Sequence, residues 1–211
     1  MKMLRLNKKT LTLLVILTVA LLVRIIGIGW YLPYTYELDE YYTIRKILNF
    51  FQENTFNPGS FMWPTFYMYI QAFVYSIYYL ISLLTGKIDS LADLSYIEFF
   101  LVGRYTVAIL GVGTVFVVYL IGKRMHSHRS GLIASLFLSF TLLHVKYSRL
   151  IRPDVPMVFF ISLSFLFIYL IYEKGETKYY LLASFFAGLS IATKYGGAIL
   201  VVPIFLAHLF R

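Results

Sequence analysis

The sequence predicts an all-α protein, a polytopic transmembrane helical bundle of about six spans with juxtamembrane helices in its first extracytoplasmic loop. Three observations carry this prediction. Of 211 residues, 60% are hydrophobic and only 14% charged, with a mean hydropathy of +0.76; a soluble domain is nearer half apolar and a quarter charged. The apolar residues gather in uninterrupted runs. The bases are scattered at the ends of those runs, so the net charge of +9 fits orientation in an anionic membrane and not nucleic acid. Cysteine is absent, which excludes disulfides, a thiol nucleophile and a Cys-ligated metal.

Residues 1–10 carry Lys2, Arg5, Lys8 and Lys9, and an apolar run over 11–30 follows. It is longer than a signal-peptide core and lacks a small-residue cleavage site, so it reads as a retained first span with its basic end in the cytoplasm. Arg24 lies inside it and must face protein or water. Further apolar stretches lie at 66–84, 99–122, 131–148, 155–172 and 179–210. The last is too long for one helix. Thr193-Lys194-Tyr195-Gly196-Gly197 divides it, because paired glycines interrupt helices and Lys is costly at mid-membrane.

Charge decides which stretches cross. If all do, the basic loop Lys123-Arg124 with Arg129 faces outward, against the positive-inside rule. If 66–84 lies in the interface instead, that loop turns cytoplasmic with Lys174, Lys178 and Arg211. Eight of the ten acids then lie outside, all but Glu173 and Glu176. Tyr67, Tyr69, Tyr75, Tyr78 and Tyr79 suit that stretch to a headgroup boundary. The outer loop then runs over 31–98 and holds two surface helices joined by Asn57-Pro58-Gly59-Ser60. The first, over 38–51, is amphipathic, with Tyr41, Ile44, Leu48 and Phe51 at helical spacing. The chain is a single module over 1–211, with no repeat and no soluble domain.

This topology brings three candidate groups to the outer face. Tyr36-Glu37-Leu38-Asp39-Glu40-Tyr41-Tyr42 puts three acids just after the first span. Asp39 there is either a helix cap or a partly desolvated general base able to take a proton from an acceptor hydroxyl or amine. Arg149-Leu150-Ile151-Arg152-Pro153-Asp154 is either an interfacial snorkelling cluster or a site where the arginines hold a phosphate and Asp154 shares an acceptor or a metal with Asp39. Lys194 either snorkels or meets a phosphate between its flanking glycines. Arg104 pairs with Glu98 or orients Asp39. His126-Ser127-His128 has metal-pair spacing but sits in a cytoplasmic loop. No Gly-rich phosphate loop is evident, which disfavours a nucleotide donor.

These residues resemble a known family. Asp39-Glu40-Tyr41-Tyr42 is similar to the acid pair that follows the first span in GT-C glycosyltransferases, in the branch of protein mannosyltransferases and aminoarabinose transferases. Arg104-Tyr105-Thr106-Val107-Ala108 resembles the arginine opening that family's second span. Gly122-Lys123-Arg124 through Arg129-Ser130-Gly131-Leu132 resembles its cytoplasmic turn, Ser148-Arg149-Leu150-Ile151-Arg152-Pro153-Asp154 its second acidic motif, and Ala192-Thr193-Lys194-Tyr195 a stretch two spans on. One departure is Met62-Trp63-Pro64-Thr65, where the family often has a Pro-Pro pair, sometimes preceded by His or Lys. Such enzymes usually have more spans, so the chain is expected to be a fragment or an N-terminal module.

The resemblance implies a membrane glycosyltransferase that moves a sugar, with inversion, from a polyprenyl-phosphate donor to a protein, lipid or glycan acceptor on the extracytoplasmic side. Asp39 would be the base, with Glu40 beside it and Asp154 assisting. Arg149, Arg152 and Lys194 would bind the leaving phosphate, and Arg104 would orient the acids. This family branch often manages without a metal, and Mg²⁺ or Mn²⁺ at Asp39 and Asp154 is an open alternative. The rival readings are a transporter or flippase with Arg24, Lys146 and Asp154 on its path, and a non-catalytic scaffold.

Overall fold

The computed structural model describes residues 7–34, 37–90 and 93–211. Lys2, Arg5 and Tyr36 lie outside the described residues. The described residues are mostly helical, with no strand among them. Its helices are α1 (Lys8–Ile25), α2 (Leu38–Gln52), α3 (Phe66–Leu84), α4 (Tyr96–Met125), α5 (His128–Phe140), α6 (Leu142–Tyr147), α7 (Asp154–Lys174), α8 (Thr177–Thr193) and α9 (Val201–Leu209), with a 3₁₀ segment over Tyr195–Leu200.

Local chemistry sets the boundaries. Asn7 caps α1 through its side chain, Ser95 and Glu98 close a capping box on α4, and Ser127 caps α5. Gly175 ends α7 at φ 63°, the left-handed turn that glycine adopts without strain. The predicted break after Thr193 is present: α8 ends there and Lys194 is extended. The predicted single stretch over 131–148 is divided at Thr141, where the backbone is extended between α5 and α6. The Thr141 hydroxyl donates to the Phe137 carbonyl, and Arg24 donates to the Ser139 carbonyl that the break leaves without a helical partner.

Contacts between helices mark two ends of the bundle. At one end Arg104 of α4 reaches the carbonyls of Ile28 and Trp30 just beyond α1. At the other, Arg124 of α4 pairs with Glu173 of α7, and Tyr180 of α8 meets His208 of α9. α4 and α5 approach closely: a Cβ on Gly122 would lie 2.9 Å from the Gly131 Cα. Among the described residues, α3, α4 and α7 are long and apolar enough to cross a membrane by length and composition. Arg24 faces protein, wholly buried among the Ala20 and Ser139 carbonyls, the Ser148 hydroxyl and His144 Nδ1.

α2 and α3 cover one end of the bundle. α3 runs antiparallel to the first turns of α4: Gln71 donates to the Gly103 carbonyl, Tyr75 to the Phe99 carbonyl and Tyr78 to Glu98. One apolar cluster joins Ile44, Ile47 and Phe50 of α2 with Tyr67 and Met68 of α3, Phe100 of α4, and Ile151. The buried face of α2 is Glu40, Thr43, Ile44, Ile47 and Phe50. This corrects the expected stripe of Tyr41, Ile44, Leu48 and Phe51, since Tyr41 is 43% exposed. The face turns by about one residue because Glu40 points inward to a cation.

Candidate active site

The predicted acids and bases converge at the end covered by α2 and α3. Arg152, in the turn before α7, holds three carboxylates: Asp39 at 3.0 Å, Asp154 at 3.3 Å and Glu37 at 3.4 Å. Its guanidinium lies 4.9 Å from the centre of the Tyr147 ring. Burial lowers the affinity of Arg152 for its proton, but the charges of Asp154 and Asp39 outweigh this and its pKa is raised. Lys194 binds the other oxygen of Asp154 at 2.6 Å. The side chains of Asp39, Asp154 and Lys194 remain 33%, 24% and 32% exposed, so ligands can reach them.

Asp39 is not the cap of α2. That position is Glu37, which makes no side-chain cap bond, and Asp39 lies in the first turn. It still enjoys the helix dipole there.

Glu40 differs from its neighbour. Its side chain is fully buried, and Arg104 donates to its two oxygens at 2.9 and 2.7 Å. The Ile151 backbone N–H also donates to Glu40, at 2.9 Å. Arg104 thus pairs with Glu40, and not with Glu98 or Asp39 as expected; Glu98 is held by Lys87 and Tyr78. The pair ties α2, α4 and the turn before α7 together. Gly103, beside Arg104, is required for this packing, since a Cβ there would lie 2.4 Å from the Tyr75 hydroxyl and 2.7 Å from Ile151.

Arg149 stands apart from the other two predicted phosphate ligands. It donates to the Ile26 carbonyl and faces a cavity of about 640 Å³ between the end of α1 and α6. Lys146, Arg104, Trp30 and the acids Glu37 and Glu40 also line this cavity, with Leu142 and Val145 as apolar wall. Glu37 and Glu40 are engaged by Arg152 and Arg104, whereas Arg149 and Lys146 make no ion pair among the described residues. Neither Arg24 nor Asp154 lines this cavity, so the three residues of the transporter reading do not share it.

The acids do not suit a metal in this arrangement. Among the described residues no three His, Asp or Glu side chains converge as a ligand set. Asp39, Asp154 and Glu40 each face a cation instead. His128 of the predicted metal pair meets the Tyr119 hydroxyl through Nδ1.

Reading the sequence missed the bridging of Glu37, the N–H of Ile151, the ring of Tyr147 and the place of Lys146 in the cavity. Glu37 carried a signal, as a third acid within one turn of Asp39. The others depend on contacts far apart in the chain.

A helical bundle with an acid–base cluster at one end, reached beside long apolar helices, defines a membrane protein with a polar site near the end of its helices. The comparisons with known proteins give this class a family. The profile of the dolichyl-phosphate-mannose-protein mannosyltransferase family matches residues 98–211, just over half of the chain. The chain belongs to that family, one of membrane glycosyltransferases. It is 33% identical over 101 residues to an uncharacterized protein of Aquifex aeolicus (strain VF5), and 31% identical over 99 residues to a Bacillus subtilis (strain 168) protein named "Putative mannosyltransferase YkcB". Each match covers 47% of this chain and only 20% and 14% of those proteins' own length, so the chain spans a small part of either. The family profile takes in Arg104, Arg149, Arg152, Asp154 and Lys194, while Asp39 and Glu40 lie before it.

Proposed function

We propose that the chain carries the catalytic end of a glycosyltransferase that moves a sugar, with inversion, from a polyprenyl-phosphate donor to a protein, lipid or glycan acceptor on the extracytoplasmic side of the membrane. The observation that carries this reading is the single guanidinium of Arg152 between Asp39 and Asp154. Residues 115 apart share one end of the bundle, where a base and an assisting acid are needed together.

In this reading the Asp39 carboxylate takes the proton of the acceptor hydroxyl, or of an amine if that is the nucleophile. The acceptor atom attacks the anomeric carbon, and the bond from that carbon to the phosphate oxygen breaks with its electron pair leaving on the phosphate. Asp154, fixed by Arg152 and Lys194, orients the acceptor. Arg149 and Lys146, facing the cavity without carboxylate partners, offer the free positive charge that a leaving phosphate needs. Arg152 and Lys194 are already opposed by acids and set the field around the base. Glu40 and Arg104 position the others.

The same reading places α2 and α3 on the outer surface, α3 lying in the interface although it is long enough to cross. The hydrogen bonds of α3 to Gly103, Phe99 and Glu98, all in the first turns of α4, and to Phe56 in the loop after α2 support this. A membrane-impermeant thiol reagent should label both an Asp39→Cys and an Asp154→Cys protein from outside. Labelling of either from the cytoplasmic side alone would end the proposal. In membranes supplied with polyprenyl-linked sugars, transfer should disappear in Asp39→Asn while the protein stays folded. Unchanged transfer would remove Asp39 from the chemistry.

A further inference from the structure

At the opposite end of the bundle from the acids, a cleft of about 490 Å³ opens between α4 and the α7–α8 hairpin. Its rim carries Lys123, Arg124 and Lys174, with Tyr179 beside them and Leu120, Leu166 and Leu170 as apolar lining. The only acid in the lining, Glu173, is taken by Arg124 at 2.8 Å. Glu176, in the turn between α7 and α8, is taken by Lys178 at 2.6 Å. Lys123 and Lys174 have no carboxylate partner among the described residues. Their ammonium groups lie 6.0 and 5.9 Å from the ring centres of Tyr119 and Tyr179.

The apolar lining is placed by helix geometry. Leu166 and Leu170 precede Lys174 by two turns and one turn on the same face of α7, and Leu120 precedes Lys123 and Arg124 by one turn on α4. The cleft therefore has a cationic mouth at the bundle's end and an apolar stripe running toward its middle. A free anion would need only the mouth. An anionic phospholipid fits both parts, with its phosphodiester at the lysines and its acyl chains along the leucines.

We propose that this cleft binds an anionic phospholipid, with Lys123 and Lys174 as the headgroup ligands. The site is separate from the proposed transfer chemistry and requires only that the protein sit in a membrane.

The test uses the full chain, purified in mild detergent and exchanged with phosphatidylglycerol or phosphatidylcholine, with retained lipid counted by native mass spectrometry. Phosphatidylglycerol should be retained and phosphatidylcholine lost. The double variant Lys123→Gln/Lys174→Gln should bind phosphatidylglycerol roughly 30-fold more weakly, a factor of about five for each base. Lys123→Arg/Lys174→Arg should restore binding, which separates lost charge from lost fold. Lys8→Gln/Lys9→Gln makes the same charge change at the same end and should leave binding intact. Equal retention of both lipids, full retention by the double Gln variant, failure of the Arg variant to rescue, or equal loss in the Lys8/Lys9 variant would each overturn the proposal. Displacement of the lipid by millimolar inorganic phosphate would assign the mouth to a free anion, and would overturn the lipid assignment.

Discussion

Asp39 and Glu40 are neighbours in sequence, yet they occupy opposite kinds of environment. Glu40 is fully buried, with both oxygens engaged by Arg104 and a third donor in the Ile151 N–H. Asp39 keeps a third of its side-chain surface exposed and meets one guanidinium, which it shares with two other acids. The difference follows from helix geometry, since adjacent residues point about 100° apart. One acid is turned into the core and the other along the rim. A carboxylate saturated with donors is a strut, while one that is partly free and open to solvent can take a proton. The acid pair is therefore divided between one carboxylate locked in the core and one left open at the rim.

The largest expected effect tests the rim. Asp39→Asn keeps shape and removes basicity, so transfer should fall by about 10²- to 10⁴-fold, the range for a general base. Its thermal unfolding in detergent should move by no more than the ~1 kcal/mol typical of partly exposed pairs. Rate and stability measured on one preparation make the comparison. If Asp39→Asn unfolds the protein, the residue is a strut as well and the division fails.

Glu40→Gln should show the reverse order of effects. Removing its charge leaves Arg104 buried without a counter-ion, a change that costs about 3–5 kcal/mol. Denaturant or thermal unfolding should register this before any assay of transfer is run. A Glu40→Gln protein with wild-type stability and no transfer would move Glu40 into the chemistry and make the pair equivalent.

Much of the fold was legible because apolar runs and breakers are local. The end of α8 at Thr193 followed from a lysine and two glycines, and the long apolar helices α4 and α7 followed from the uninterrupted runs. The break at Thr141 was not legible, since no Gly or Pro marks it and the carbonyl it frees is met by Arg24, more than a hundred residues away. The candidate site was legible as a set of residues but not as a set of bonds. Glu40 and Arg104 are 64 positions apart, and nothing nearby in sequence indicates which acid Arg104 will choose. That choice also turned the face of α2. Ile47→Ala should therefore cost about 2–5 kcal/mol, as other buried large-to-small changes do. Tyr41→Ala, on the face first expected to be buried, should stay within about 1 kcal/mol. Equal costs in unfolding experiments would restore the expected stripe and weaken the case for an inward Glu40.

Arg152→Lys is the smallest of the expected effects on transfer and bears most closely on Asp39. A lysine keeps the positive charge but offers one compact ammonium where the guanidinium presents a planar fork. It can meet one of Glu37, Asp39 and Asp154 well, and not all three. The charge balance of the rim is unchanged, and the groups are a fifth to a third exposed, so stability should shift by less than ~1 kcal/mol. The geometry does change, because the two acids no longer share a fixed partner. Misplacement of reacting groups by about 1 Å can cost as much as 10²-fold, and a lysine that restores part of the contact should lose about tenfold in kcat. KM for the acceptor should move less, since the effect acts on alignment rather than binding. A fall confined to KM would mean that Arg152 binds a ligand directly. A variant with unchanged kcat would mean that the shared guanidinium is a product of charge balance alone, and the base at Asp39 would then need another source of alignment.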